Sequence, residues 1–387
     1  MFRRTFAEIN LDHLAHNFFE IKKVGGEGRF ICPMVKANAY GHGDVDLAKH
    51  LENVGATHLG VCLIEEGLLL RNHGMKSKIL VFRGFDKQGA QKIFDAQMTP
   101  VVSTWDQLSA LESVADETIK VHVKFNTGMN RLGFAPQEAE KLRTYFKNSK
   151  KLKLKAILSH FYCGEDAVST SGLSAQQAKI MTEVFSYFKD DGVFAHLLNS
   201  GGIASLAEAS VKNDPNHFLN KENWGFRPGL MLYGYSPDAN LKAMNLKPVM
   251  TFKSVVNNIR QLQPGETVSY GATWKADKPA TIAVVPVGYA DGVHRLLSNR
   301  GVAMFAGQQV PIIGRICMDF LMLDVTNVVK DKNIQKFNEE EVILFGYDQN
   351  GNFLSADVTA KAAETITWEV LTAVGERVPR HYKGGQA

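Results

Sequence analysis

Short runs of apolar and β-branched residues recur along the first two-thirds of the chain, near 31–35, 58–62, 79–82, 100–103, 120–125, 154–159, 194–198 and 228–232. Between them lie longer stretches with apolar residues three and four apart, such as GDVDLAKHLENVG, DKQGAQKIFDAQ, TWDQLSALESVA and SAQQAKIMTEVFSYFKDDG. The longer period marks amphipathic helices, and short continuous runs suit strands buried on both faces. Several helical stretches begin at Asp, Ser or Thr and stop at Gly, the preferred cap residues. This series of strand–helix units predicts an α/β fold, a parallel (β/α)8 barrel of the TIM type. The last two units are irregular, because DPNHFLNKENWGF reads as loop or broken helix. An open doubly wound sheet stands as the structural alternative.

After about Tyr235 the period drops to two. TFKSVVNNIRQLQPGETVSYG, TIAVVPVGYADG and GQQVPIIGRICMDFLMLDVT alternate residue by residue between Pro-Gly and Gly turns, and EEVILFG adds another strand. A mainly antiparallel β domain follows from this, with one late helix from about Asp357 to Val374, stopped by Gly375. The division expected is a barrel domain over 1–240 and a β domain over 241–387. The strand-like TFAEINL, about 5–11, precedes the first barrel unit and is available to pair with the β domain.

Composition changes this picture little. The chain has 387 residues, 45% hydrophobic and 22% charged, enough for two domains with sizeable cores. A formal charge of +4 gives no nucleic-acid or lipid patch; the most basic run, KNSKKLKLK, suits a solvated loop entering a strand. No apolar run is long enough to cross a membrane, and the N-terminus lacks the apolar stretch of a secretory signal. Four scattered cysteines (Cys32, Cys62, Cys163, Cys317) suit reduced thiols in the cytoplasm. His160 and Cys163 share an H-x-x-C spacing without a second pair to complete a zinc set.

In barrels of this kind the chemistry sits at the C-terminal ends of the strands, with phosphate held by the loops after strands seven and eight. Lys36 ends the first run and leads into a turn within VKANAYGHG, where desolvation favours the neutral amine that forms a Schiff base. His160 ends the sixth run. Asn199-Ser200-Gly201-Gly202 follows the seventh, at a helix start able to hold a dianion. Gly229 and Leu230 lie in the eighth, after Arg227. Each has a duller reading: a solvated strand-end lysine, a core histidine, an ordinary turn, a structural ion-pair partner. Their convergence on one rim argues for one site.

VKANAYGHG, NTGMNRLGF, NSGGIAS, FRPGLMLYG, VSYGATW, VGYADGVHR and GRICMDF, in this order, resemble the motif blocks of the alanine racemases, pyridoxal phosphate enzymes of fold type III. The resemblance runs from AEINLDHLAHN to RVPRHY, almost the whole chain. It implies interconversion of L- and D-alanine, supply of D-alanine for peptidoglycan, and a homodimer in which each β domain completes the other chain's barrel. Lys36 is implied as the lysine that carries pyridoxal 5'-phosphate, and Tyr270 as the opposing base. Tyr40, Asn199, Ser200, Gly229, Leu230 and Tyr382 are implied around the phosphate, Arg227 at the pyridine nitrogen, and Arg131 at the phenolic oxygen. Met318 and Tyr289 are implied at the substrate carboxylate.

Racemisation needs a base on each face of the α-carbon. A free tyrosine titrates near ~10 and needs neighbours that favour its anion. The family's chain of contacts for this would here be Tyr270, His160, Arg227. Arginine keeps its proton, so at the ring nitrogen it leaves the ring a weak electron sink and suppresses transamination. Lys124 matches a lysine that is carbamylated in many members. Asn126 departs from the aspartate common in the family, and Asn130, the residue before Arg131, falls at a variable position. Tyrosines 40, 270 and 289, with Cys317 and Met318, have packing roles as their rival reading. A broader amino-acid racemase accepting serine remains open. A type III decarboxylase would lack the VSYG and CMD blocks, and a non-catalytic pyridoxal phosphate-binding barrel would lack the β domain.

Overall fold

The structure, a computed structural model, describes residues 3–330 and 332–385. The chain forms two compact units, one of Leu14–Ala39 and Asp44–Lys247, the other of the residues up to His13, Tyr40–Gly43, and Pro248 onward. Strand β1 (Phe6–Asn10) belongs to the second.

The first unit holds a parallel seven-stranded sheet in sequence order: β2 (His58–Val61), β3 (Lys78–Val81), β4 (Thr99–Val102), β5 (Ile119–Lys124), β6 (Leu152–Leu158), β7 (Phe194–Leu198) and β8 (Gly225–Phe226). The run at 31–35 closes the ring through two isolated parallel bridges, Ile31 with Phe226 on one side and Met34 with Gly60 on the other. The Cys32 and Phe226 N–H groups donate to Phe226 and Phe30 carbonyls at 2.9 and 2.8 Å, and Val35 N–H donates to Gly60 O at 2.9 Å. The result is a (β/α)8 barrel. Its strands end in fully buried runs such as Gly60–Val61, Ile79–Val81 and Val121–Lys124, because interior and helix layer cover both faces. Caps fall where the sequence puts them: Asp86 accepts from Gly89 N–H at 2.8 Å and Thr104 from Gln107 N–H at 3.4 Å.

The eighth strand is not at 228–232, as expected, but at Gly225–Phe226. Pro228 lacks an N–H, so it only accepts, from Met34 N–H at 2.9 Å, and Leu230–Tyr233 closes into a 3-10 turn.

The second unit places β1 between antiparallel β9 (Met250–Val255) and a parallel strand formed by the C-terminal tail. Next along the chain come β10 (Asn258–Leu262), the hairpin β11 (Thr267–Val268) and β12 (Trp274–Lys275), β13 (Ala280–Val285), β14 (Val302–Phe305), β15 (Gln308–Ile313) and β16 (Leu321–Asp324). Then follow β17 (Glu341–Tyr347), β18 (Phe353–Leu354) and the tail strand β19 (Arg380–Lys383). The sheet runs β10-β13-β16-β15-β14-β17-β9-β1-β19. Every pairing in this unit except β1 with β19 is antiparallel. Lys253 of β9 bridges Glu8 of β1 and Glu341 of β17 at 3.2 and 3.1 Å, a cross-strand charge match that holds the register.

The single late helix expected over 357–374 is two, Ala356–Ala362 and Thr367–Ala373. Glu364 between them has φ 53°, which no right-handed helix accommodates.

Candidate active site

Lys36 opens a turn unlike any that sequence propensity suggests. Ala37, Asn38, Ala39 and Tyr40 all have φ between 50 and 54°, a left-handed turn built without glycine. Such residues cost about 1–2 kcal/mol each in this conformation. Within the barrel unit three contacts hold them. Ala39 N–H donates to Val35 O at 2.9 Å, Asp44 N–H to Asn38 Oδ1 at 3.0 Å, and Ala37 N–H to Glu66 Oε1 at 2.7 Å. Glu66 also accepts from Cys62 and Leu63 N–H, so one carboxylate locks the first two strand ends together. Lys36 itself is half-buried, and its Nζ has no hydrogen bond or ion pair among the described residues. Backbone strain concentrated beside a reactive side chain is a mark of functional sites.

Arg227 is the centre of the barrel's polar interior. It is buried, yet every partner is neutral: Nη1 donates to His196 Nδ1 (2.8 Å) and His196 O (2.7 Å), and Nη2 to Ser159 O (2.6 Å) and His160 Nδ1 (3.2 Å). Burial without an anion pushes the guanidinium down to about 10, and only the Cys32 thiol opposes that shift. Its Nε–H has no acceptor among the described residues. Desolvation and the Arg227 charge hold His160 well below the ordinary histidine range. His160 and Arg227 were both expected at the site; His196 and His122, which continue the chain through His122 Nδ1 to His196 Nε2 at 2.9 Å, were not. In VHVKF and FAHLLN they look like ordinary strand residues, and only the barrel's closure makes them neighbours.

Ser200 begins the helix Ser200–Ala207, capped by Asn199. The Ser200 hydroxyl accepts from Gly229 N–H at 3.0 Å and Met231 N–H at 3.4 Å, which leaves its own proton free to donate. Asn199 spends its side chain on the protein, accepting from Gly202 N–H (3.1 Å) and donating to Phe161 O (3.0 Å). Leu230 is buried at the start of the following turn. The loops after β7 and β8 therefore meet at Ser200 and leave its hydroxyl proton beside a helix N-terminus, which favours a negative charge.

Lys124 ends β5, buried, and is driven down to about 8, chiefly by desolvation and then by the charges of Arg227, Arg131 and Lys36. Arg131 lies exposed on the loop after β5, which Phe125 and Phe134 close by a β-bridge. Asn126 shapes that loop by accepting from Gly128 and Asn130 N–H at 3.1 and 3.0 Å, as an aspartate would. Its amide also donates to Asn130 Oδ1 at 2.8 Å, which an aspartate could not do.

In the second unit the Tyr40–Gly43 segment meets the tail strand. Tyr382 hydroxyl donates to His42 O at 3.3 Å, and Arg380 Nη2 and Nε donate to Gly41 O at 2.7 and 3.0 Å. Gly43 has φ 100° and stands where any side chain would collide with the Tyr382 hydroxyl. Tyr270 rides on the tip of the β11–β12 hairpin, 71% exposed. The segment 288–291 lies against 317–318, with Tyr289 N–H on Cys317 O at 3.1 Å and Ala290 N–H on Met318 O at 3.0 Å. A fully buried Asp291 pins this turn, accepting from Gly288 N–H (3.0 Å) and ion-paired through Oδ1 with Arg3 Nη2 (2.6 Å) and Arg377 Nε (2.9 Å). Ser269 Oγ, next to Tyr270, contacts Cys317 Sγ at 3.4 Å and donates to Arg315 O, which joins the hairpin to the same patch. Tyr270, Tyr289 and Met318 thus share one exposed face of this unit.

Comparison with known proteins covers both units. The model described as "Alanine racemase, N-terminal domain" matches residues 9–237, and that described as "Alanine racemase, C-terminal domain" matches 249–382. The alanine racemase of Desulfovibrio desulfuricans is 35% identical over 387 residues, covering 98% of this chain and 98% of that protein. The structure of alanine racemase from Clostridium difficile 630 is similar with a TM-score of 0.87 and 32% identity, covering 99% of this chain and 96% of that one. The structure of alanine racemase from Bartonella henselae with covalently bound pyridoxal phosphate has a TM-score of 0.83 and 27% identity, covering 98% of this chain and 99% of that one.

Proposed function

The chain belongs to the alanine racemase family, and from that premise we propose that it interconverts L- and D-alanine with Lys36 and Tyr270 as the two bases. The family depends on pyridoxal 5'-phosphate. When bound, that cofactor delocalises the electrons left behind as the α-proton departs, which lowers the barrier to that step. The barrel's own donors fit such a group. Arg227 offers its one remaining N–H, Nε, to a neutral ring nitrogen. Ser200, whose hydroxyl proton is left over once its oxygen has accepted from Gly229 and Met231 N–H, is proposed to donate to phosphate, with Gly229 and Leu230 of the adjoining turn beside it. Tyr40 and Tyr382 are proposed as further phosphate contacts, and Arg131 as the donor to the phenolic oxygen.

One observation carries the two-base reading. A guanidinium only donates, so His160 Nδ1 must accept from Arg227, and a neutral His160 then carries its proton on Nε2. An Nε2–H is the donor that stabilises a phenolate, the state in which Tyr270 takes a proton. Lys36 serves the other face. Its strained turn holds the amine at the barrel rim, close enough for its charge to act on His160 and Lys124. The segments that carry Tyr289 and Met318 are bonded to each other, Tyr289 N–H to Cys317 O and Ala290 N–H to Met318 O. Tyr289 and Met318 are proposed to meet the substrate carboxylate through a hydroxyl and a backbone N–H. Tyr270→Phe is therefore expected to retain the cofactor while losing exchange on one face. Solvent-deuterium incorporation will become strongly asymmetric between D- and L-alanine; equal residual exchange from both enantiomers would remove Tyr270 from the mechanism.

Lys124 is proposed to carry a carbamate. A lysine held near 8 has a substantial neutral fraction, and its amine adds to carbon dioxide to give a carbamate anion and one proton. The anion replaces a cation crowded by Arg227, Arg131 and Lys36 with their counter-charge, and it holds Arg131 in place. Protein equilibrated with ¹³C-bicarbonate should show a carbamate resonance that Lys124→Ala lacks; no such signal in the unsubstituted protein would end this assignment.

The exposed face bearing Tyr270, Tyr289 and Met318 also includes Phe320, 41% exposed. A base and three further large side chains left in water mark a surface meant to be covered. We take the cover to be the barrel of a second copy in a two-fold dimer. All four cysteines are free, as reduced thiols are in the cytoplasm, where we place the enzyme; among the described residues no helix is long and apolar enough to cross a membrane. Its D-alanine would serve peptidoglycan synthesis, as is typical of the family.

A further inference from the structure

The histidines behind Arg227 have no part in the chemistry just described, yet they are placed too specifically to be filler. His196 is fully buried on β7 and His122 nearly so on β5. Phe30 lies 4.9 Å from the His196 ring, and Phe194 lies 5.6 Å edge-on to His122, so an aromatic ring packs against each. Donor logic then fixes every proton. Arg227 Nη1 can only donate, so His196 Nδ1 accepts and the neutral ring carries its proton on Nε2. That proton points at His122 Nδ1, which must accept and so carries its own proton on Nε2. The chain reads Arg227 to His196 to His122, one direction throughout.

We infer that His196 is a positioning residue for Arg227, and that His122 locks His196 in the tautomer able to do it. The Nη1 and Nη2 bonds fix the plane of the guanidinium from two sides, His196 and His160. With that plane fixed, Nε–H has one direction. Loss of the His196 acceptor leaves Nη1 with a single carbonyl and lets the plane tilt. Both rings stay neutral as the chain requires: burial puts His122 at about 3 and His196 well below its ordinary range. The inference rests on the reading that Arg227 faces the cofactor's ring nitrogen, but its geometric half does not.

¹⁵N NMR of the ring nitrogens in the cofactor-free protein tests that half directly. Protonated Nε2 and bare Nδ1 are expected for both His196 and His122; a protonated Nδ1 on His196 overturns the inference. The functional half needs two variants. His196→Leu removes the acceptor, and His196→Asn returns an oxygen close to the place of Nδ1. We expect His196→Leu to weaken pyridoxal phosphate binding to the apoprotein about tenfold, read by fluorescence titration, and to raise transamination per racemisation turnover about tenfold. His196→Asn should recover most of both. If both variants lose only melting temperature, or are equally impaired, His196 is a core residue and nothing more. Arg227→Lys separates the two claims: an unchanged transamination fraction there would overturn the ring-nitrogen reading while leaving the tautomer result standing. Should His196→Leu fail to fold, the tautomers of the unsubstituted protein still decide.

Discussion

Substitution of Lys36 by alanine is expected to reduce racemisation in both directions by roughly 10^4-fold or more, the largest effect of any single change in this chain. Lys36 would fill two roles at once, as covalent anchor of the cofactor and as base on one face. No neighbour can substitute for it. Lys124 is the nearest candidate amine by its electrostatic coupling, but it is buried among cations and placed on a different strand end. The left-handed turn after Lys36 aims one side chain only, and its cost in backbone strain makes sense only if that aim matters. The measurement is borohydride reduction followed by peptide mapping, alongside racemisation rates. The unsubstituted protein should carry the reduced cofactor on Lys36 and the variant should carry none. A reducible protein–cofactor bond surviving in Lys36→Ala would show that another lysine is the anchor.

The second large effect is a recovery. Lys36→Ala and Tyr270→Phe should each be inactive alone, yet regain activity when mixed under conditions of subunit exchange. In a two-fold dimer with shared sites, random exchange makes about half the molecules heterodimers, each with one site wholly unsubstituted. Activity should therefore approach about a quarter of the unsubstituted protein's. The expectation follows from where the residues lie. Lys36 belongs to the barrel unit, while Tyr270 tips a hairpin of the other unit and is largely exposed on its face. Exchange is followed with a mass-tagged subunit. If exchange is complete and activity stays at background, both bases come from one chain and the exposed face has another purpose.

Much of this architecture was legible before any coordinates. The change of period near Tyr235 separated parallel barrel strands from alternating antiparallel ones, because burial on two faces and on one face leave different sequence marks. Errors came where local signals were weak or misleading. Met231 and Leu232 are as apolar as any strand, but Pro228 ends the ladder and the segment coils instead. Ala360 to Thr367 carries no helix-breaking residue, yet the chain turns at Glu364 through a left-handed conformation that an isolated helix would refuse. The four left-handed residues after Lys36 were equally hidden. Ala and Tyr never announce positive φ, and one of the contacts that hold it comes from Glu66, far along the chain.

By itself the sequence determined the change from barrel to β texture, the strand ends that carry Lys36, His160 and Ser200, and the family, since ordered motif blocks are local strings of residues. The tertiary structure decided everything that depends on non-local approach. It made Arg227 a buried cation with neutral partners and one donor to spare, set the proton positions on His160, His196 and His122, and depressed Lys124 among three other cations. It also left Tyr270 in solvent on its own unit. The physical reason is the same in each case. Patterning along a chain reports which faces are buried, whereas tautomers, charge states and hydrogen-bond direction arise only when residues distant in sequence share one low-dielectric space.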